Sequence, residues 1–455
     1  MKISKKITAA LLALGLISQA KAADPVVYLT GSSAFRSTIE ACLADNSGDT
    51  NAIFAAGSVT YETWGNAAAG SASYMVFHGT NNGTGVYINC AWSGSEAGIA
   101  SACNTTLANT DRNGHSLALS GSPETWVNAT NSSLTLTASG VVNSGSPAAG
   151  IMETSSHGAD LTQADTSQAV SWTPFVAATS TALKDYGSEG VVTFTWEKNI
   201  QPAPSNEWTH VTNITLPQIN TLLSVGSCPA GFITGNAADD DFEIYLVGRN
   251  LGSGTRMNVE ATSTYGAHKT VHQYSIGYGC GDPGDPAQEP TVLVLTNEAN
   301  NGYESGGSVA KALNDTGHST TSGSCQQADP NGVANGTVGW FALGYIAPSD
   351  ALSTGNADVV PPSTNNWVTV DGALSDDGNI ENGSWWLWGH EHLYGKYQIS
   401  GVQDTIGNSI FTAVSNYLLA NYGSVAGAHD PGLPYALMNV VKGVGNTSDT
   451  AFPSF

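Results

Sequence analysis

Positive charge is scarce in this sequence. Of 455 residues only 14 are Lys or Arg against 37 Asp or Glu, a formal net charge of -23, and charged residues make up only 11% of the chain. Such a surface repels phosphate backbones at long range, and no basic run offsets it, so nucleic acid is excluded as a partner. Disorder of the whole chain is excluded by an opposite abundance: 11 Trp, 16 Tyr and 11 Phe supply large apolar side chains to bury. Cysteine is sparse and never forms a C-x-x-C pair, which argues against structural zinc. Beyond the N-terminus no apolar run approaches the about 20 residues that a spanning helix needs. G-x-S-x-G and H-E-x-x-H are missing as well, so a hydrolase reading has no nucleophile or metal motif, and neither catalysis nor a cofactor is expected.

The first 22 residues read as a secretory signal peptide. Lys2, Lys5 and Lys6 form a basic region, Ile7 to Ile17 an apolar core, and Ala20-Lys21-Ala22 a small-x-small cleavage site. No Cys lies at that site, so no lipid anchor is expected and the chain should be periplasmic or secreted. Six cysteines remain, Cys42, Cys90, Cys103, Cys228, Cys280 and Cys325. In an exported chain an even number at wide spacing suggests disulfides. Cys90 with Cys103, and Cys280 with Cys325, are the expected local staples.

The length exceeds one ordinary core and predicts two domains or two lobes of one α/β fold. Strands are predicted at Val26 to Thr30, Val59 to Trp64, Val191 to Trp196, Phe242 to Val247, Thr291 to Leu295 and Trp340 to Ala347, several as continuous apolar runs suited to parallel sheets. Phe35, Ile39, Cys42 and Leu43 recur at helical spacing. Thr215, Pro217 and Gln218 signal a helix start, and a last helix is predicted from Ser409 to Tyr422. Gly/Ser/Thr/Asn-rich stretches at 78 to 158, 258 to 290 and 301 to 338 exceed ordinary connections and read as surface insertions.

Two loops suit an anion. Gly31-Ser32-Ser33-Ala34-Phe35-Arg36 joins a strand to a helix, where unpaired amides and the positive end of the dipole coincide. Ser32 or Ser33 acting only as a helix cap is the plainer alternative. Gly248-Arg249-Asn250-Leu251-Gly252-Ser253-Gly254-Thr255-Arg256 repeats the arrangement and adds guanidinium and hydroxyl donors, which fit a tetrahedral oxyanion. Three of the four arginines left after the signal peptide lie in these loops, the fourth being Arg112. His390-Glu391-His392 sets alternate imidazoles on one strand face, and Asp239-Asp240-Asp241 and Asp282 to Glu289 are acidic loops. None has ligand spacing that singles out a metal, and Trp385 to Trp388 read as core.

Arg249-x-x-Gly252-Ser253-Gly254-Thr255 resembles the R-x-D-G-S-G-T signature of the phosphate-binding proteins of bacterial ABC transporters, which have the type II periplasmic binding protein fold. Gly31 to Phe35 resembles the first phosphate loop of that family. Tyr61 to Ser73, with Gly70-Ser71, resembles the second, and Gly158 to Asp165 the segment whose final Asp faces the ligand. Trp172 to Val176 and Gly344-Tyr345-Ile346 resemble its crossover strands. Leu251 stands at the Asp of the signature, and Ala34 at the first-loop Thr.

The resemblance implies a two-lobed α/β fold with Gly/Ser-rich insertions. Residues 23 to 177 plus 349 to 455 would form lobe one, with an insertion at 78 to 158, and 178 to 348 lobe two, with insertions at 258 to 338. It implies an exported, monomeric solute-binding protein that holds phosphate or a similar small oxyanion between the lobes and passes it to an ABC permease. The implied ligand-binding residues are Ser32, Ser33, Ala34, Phe35, Ser71, Asp165, Arg249, Ser253, Gly254 and Thr255, with no catalytic or metal residue. Asp165 would accept the proton of monohydrogen phosphate and so reject sulfate, or it could equally cap a helix. The reading from another class is a secreted structural or adhesive protein that keeps the fold without transport.

Overall fold

A computed structural model describes residues 23–49, 52–103, 108–110, 116–118, 124–173, 177–198, 207–241, 243–267, 269–278, 290–295, 302–303, 305–314, 341–348, 350, 367–422 and 432–440. The expected signal peptide, Cys280, Cys325, Arg112, Pro174 to Val176 and the acidic stretch 282–289 lie outside the described residues.

Two mixed sheets organise the chain. The first has eight strands: β1 (Val26–Gly31), β2 (Thr60–Trp64), β3 (Tyr74–Asn81), β4 (Thr84–Ala91), β5 (Val141–Asn143), β6 (Leu161–Ala164), β7 (Lys184–Thr193) and, late in the chain, β14 (Trp388–Gly395). Their order is β5-β2-β3-β4-β1-β6-β14-β7. The second has six: β8 (Thr195–Lys198), β9 (Asn213–Ile214), β10 (Ser227–Pro229), β11 (Glu243–Val247), β12 (Phe341–Ile346) and β13 (Trp367–Val370), ordered β9-β13-β8-β12-β11-β10. The predicted strand at 191 to 196 is the point of passage. β7 ends at Thr193 in the first sheet and β8 begins at Thr195 in the second, with buried Phe194 between them. The chain returns between β13 and β14, so it changes sheet at 194 and after 370, later than the expected 177 and 348. Two sheets joined by two such passages form the two-lobed α/β architecture.

β1 pairs in parallel with both β4 and β6, so the carboxyl ends of these three strands share one edge. In open α/β sheets that edge is where ligands bind. Helix α1 (Arg36–Ala44) leaves β1 and buries Thr38, Ile39, Cys42 and Leu43. Helix α2 (Ser95–Ala102) leaves β4 with every residue buried. β3, β4 and α2 therefore belong to the core, although 78 to 158 reads as a surface insertion. Small residues misled that reading: the Ala/Gly/Ser composition of α2 looks like a linker, yet it lets the helix lie against β1 and β6.

In the second lobe, α3 (Leu216–Val225) starts as predicted. Thr215 N–H donates to Gln218 Oε1 at 2.7 Å, and Pro217 occupies the first turn. Helix α4 (Gly254–Thr262) follows β11, with the Ser253 hydroxyl accepting from Arg256 N–H at 3.3 Å. Helix α5 (Gly306–Asn314) packs beside β12, and the predicted strand at 291 to 295 pairs as Pro290–Leu295 with Gln273–Tyr278. Helix α6 (Gly401–Asn421) starts eight residues before the expected Ser409, because its first buried position is Ile406 and its opening turn is solvated.

The expected Cys90–Cys103 staple does not form; Cys42, Cys90, Cys103 and Cys228 are all free and buried. Cys90 belongs to the main core with Val27 and Ile88, whereas Cys103 packs with Ile99, Ala164, Leu183 and Tyr394. Short sequence separation did not bring the thiols into one pocket. Burial pushes the Cys103 thiol up to about 12, so it behaves as an inert apolar residue. Trp385 and Trp388 are core residues as expected, with Trp385 Nε1 donating to Phe194 O at 2.9 Å. Among the described residues no helix is long and apolar enough to cross a membrane.

Candidate functional site

The ends of β1, β4 and β6 turn toward the loop after β11, and close approach forces glycine there. A methyl group on Gly31 would fall 1.9 Å from Gln163 O, and one on Gly94 would fall 2.5 Å from Gly252 O. Both residues adopt positive φ, +117° and +100°. Gly94 N–H donates to Gly31 O at 2.9 Å, which ties the β4 exit to the β1 exit.

Asp165, at the exit of β6, lies at the centre. Ser95 Oγ donates to its Oδ1 at 2.6 Å, and its own N–H donates back to Ser95 Oγ at 3.2 Å. A methyl group on Gly254 would fall only 1.5 Å from Asp165 Oδ1, so the carboxylate lies directly on the first turn of α4. Asn258 Nδ2, one turn further along α4, donates to Asp165 O at 2.7 Å. Burial raises the Asp165 carboxyl to about 6, while Ser95 and the Arg249 charge pull the other way. Asp165 does not cap a helix of its own, since the next turn starts at Gln168 behind Ser167.

Arg249 is 3% exposed, and its Nε donates to Tyr303 O at 3.3 Å. Burial lowers its pKa, opposed first by Asp350 and then by Asp165. Asp350 is the carboxylate that sequence reasoning missed. With Leu251 at the Asp of the signature, the acid that balances Arg249 comes from a segment 101 residues further on. Asp350 also lies on the N-terminus of α5, where a methyl group on Gly306 would come 1.8 Å from its Oδ2, and it opposes the lowering of Arg36 as well.

Leu251 does not take over that acid's part. It packs with Ala100 of α2 and against Trp172. Beside it, Gly252 O accepts from Glu96 N–H at 3.1 Å and from Ala97 N–H at 3.4 Å. The first amides of α2 are thus taken by a carbonyl from the opposite lobe, and the lobes are latched together. Glu96 extends the contact, accepting from Thr166 Oγ1 at 2.8 Å and Trp172 N–H at 2.9 Å. Buried and near Asp165 and Glu260, it is pushed up to about 7, with burial the main cause. Arg256 does not join the oxyanion loop. Its Nε pairs with Glu260 Oε1 at 2.7 Å inside α4.

The structure therefore brings Ser95, Asp165, Arg249 and Gly254 together, while the Ser253 hydroxyl caps α4 and Thr255 is buried in its first turn. The Gly-Ser step before an Ala/Gly helix, Ser93-Gly94-Ser95, was the signal for Ser95. Ser71 lies instead on a 3-10 turn beside α1, where Arg36 Nε donates to Gly70 O at 3.3 Å. Ser33 and Ala34 are half-buried in the turn before α1, and Phe35 is a core anchor, its ring against Gly190 and Gly432. Ser32 is buried, with its N–H donating to Gln163 O at 2.8 Å.

His390 and His392 have ring centroids 6.1 Å apart and pair with Ser188 and Asp185, at 3.2 Å and 3.4 Å. Asp239 accepts from Thr234 Oγ1 at 2.7 Å and closes a turn. Among the described residues no three His, Cys, Asp or Glu side chains come together to hold a metal.

No protein-family model and no curated protein matches this chain. Solved structures similar to it include the following three. A protein from Clostridium perfringens assigned as a phosphate ABC transporter substrate-binding protein, with phosphate bound, is 13% identical, with a TM-score of 0.41 over 87% of this chain and 98% of its own. An ABC-type phosphate transport receptor from Vibrio cholerae is 12% identical, with a TM-score of 0.35 over 88% and 98%. PstS from Borrelia burgdorferi is 9% identical, with a TM-score of 0.31 over the same shares. Likeness this distant says nothing of ligand or partner.

Proposed function

We propose that the chain is a solute-binding protein that takes phosphate or a similar small oxyanion between its lobes, without catalysing a reaction. One observation supports this reading: the Ser95–Asp165 pair lies on the first turn of α4, and the charge of the buried Arg249 guanidinium acts on Asp165. Amides of a helix N-terminus, hydroxyls and an arginine are the donors that a dehydrated oxyanion needs. Asp165 supplies an acceptor. It favours a ligand that still carries a proton and disfavours sulfate, which would set acceptor against acceptor. Export by the N-terminal leader and delivery to an ABC permease complete the proposal.

Isothermal titration with phosphate, arsenate and sulfate tests it. Phosphate and arsenate are expected to give heat and sulfate none; no heat with any oxyanion would sink the reading. A specific contact favours the second reading, a secreted structural or adhesive protein. Gly252 O already occupies the α2 amides, and a chain locked in that state would show neither heat nor any change in shape on adding phosphate.

A further inference from the structure

Four polar side chains next to this site are explained neither by the fold nor by the oxyanion pocket. Ser32 lies at the end of β1, Gln163 on β6, Glu189 on β7 and Glu391 on β14, with exposures of 1%, 0%, 2% and 0%. The register makes them neighbours: Gly31 pairs with Gln163, Gln163 with Leu393, and Glu391 with Gly190. Ser32 Oγ, both amide atoms of Gln163 and all four carboxylate oxygens have no hydrogen-bond partner among the described residues. Gln163 faces Glu189 and Ser32 faces Glu391, each close enough to favour the ionised carboxylate, but two donors do not satisfy four carboxylate oxygens. Native interiors leave few such atoms, and seven on adjoining strands beside the site make this a candidate place for a ligand group.

Charge and donor count decide what that is. The unpartnered atoms are mostly acceptors, so they call for a group rich in donors. Inorganic phosphate offers at most one or two protons and adds negative charge to carboxylates already crowded by Asp165. A metal does not fit, because among the described residues no three ligating side chains converge. A primary ammonium offers three donors and a positive charge. Asp165 adjoins both regions, since its charge acts on Arg249 and on Glu391.

We propose that the ligand is zwitterionic, with its oxyanion at Arg249 and the α4 N-terminus and a primary ammonium held by Glu189, Glu391, Gln163 and Ser32. This rests on the oxyanion reading above and narrows it to phosphorylated or phosphonylated amines. The electrostatics agree. Burial raises Glu189 to about 8, with Gln163 and His392 opposing, and pushes Glu391 well above the carboxylate range, with Asp165 and Glu189 adding and Ser32 opposing. An arriving ammonium would favour the ionised forms, so binding would release protons at neutral pH.

The test is calorimetric titration of the full chain with inorganic phosphate, ethyl phosphate and O-phosphoethanolamine, the last two differing only in the amine. O-phosphoethanolamine is expected to bind at least 10-fold tighter than ethyl phosphate and to release protons to the buffer. Glu189→Gln and Glu391→Gln are each expected to reduce that preference, with ethyl phosphate affinity nearly unchanged. Equal affinity of the wild-type chain for the two esters would overturn this proposal and leave the oxyanion reading standing. A preference that survives both substitutions in folded variants would also overturn it. No binding of any of the three compounds would overturn both readings.

Discussion

Ser95 Oγ stands 2.6 Å from Asp165 Oδ1 and joins the exits of β4 and β6 across 70 residues of sequence. The bond does two things at once: it fixes the carboxylate on the first turn of α4, and it stabilises the ionised form against burial. Ser95→Ala removes the donor and leaves a buried acceptor short of a partner, a loss of about 1–3 kcal/mol. Urea unfolding of the variant is expected to show that loss, and calorimetry a weaker grip on phosphate. An unchanged unfolding midpoint would mean that the pair contributes nothing.

Arg249 places a buried guanidinium at the meeting of the lobes, beside Asp165. Arg249→Ala is expected to abolish oxyanion binding at accessible concentrations. Arg249→Lys should retain some, weaker by on the order of 100-fold, because a point charge replaces a planar fork. Arg112→Ala serves as the control and should bind as the wild type does. Equal affinity for Arg249→Ala and wild type would remove this residue from the site.

The latch gives a conformational prediction. Gly94→Ala must hold φ near +100° while its methyl group meets Gly252 O. The strain is about 1–3 kcal/mol, and separating the lobes relieves the contact part of it. Small-angle scattering is expected to report a larger radius of gyration for the variant than for the wild type. Identical scattering curves would show that the Gly252 carbonyl does not hold the lobes together.

Stability should fall as pH rises. Burial raises Asp165 to about 6, Glu96 to about 7 and Glu124 to about 8, whereas unfolded carboxylates titrate near about 4. The folded chain therefore holds these protons more tightly than the unfolded one. Their contribution is complete below about pH 4 and is lost step by step as pH passes each folded value. Urea midpoints are expected to decline between about pH 5 and pH 9, and Glu124→Gln should flatten the upper part of the decline. A midpoint that climbs over that interval would contradict the burial of these groups.

Free cysteines are a chemical test of the fold. A peptide map without reductant should contain Cys90 and Cys103 as separate thiols after alkylation in denaturant, because they pack in different clusters. A linked Cys90–Cys103 peptide would require β4 and α2 to be arranged otherwise.

Local signals carried a good share of the molecule. The apolar runs of β1, β11 and β12, the Thr215–Gln218 box before α3, and Ser253 capping α4 could all be read because each is written within a few neighbouring residues. The Arg249 loop was legible for the same reason, lying directly after a strand, whereas Asp165 was reached only through the family resemblance of Gly158 to Asp165. Ser71 was reached through the same resemblance, at a Gly-Ser step, yet Ser95 also follows a Gly. Nothing local tells the two apart until β4 lies beside β1 and brings Ser95 to Asp165.

Composition and short motifs thus set the α/β class, the acidic character and the arginine-bearing turn, since these depend on residue type and spacing alone. Partnership across the chain is a different matter. That Asp350 balances Arg249, that Leu251 latches onto Ala100, that Cys90 never meets Cys103, and that Ser32, Gln163, Glu189 and Glu391 crowd together unpartnered all follow from register and lobe contact. The forces involved, desolvation and hydrogen bonding, act over a few ångströms of space, and distance along the chain does not measure that space.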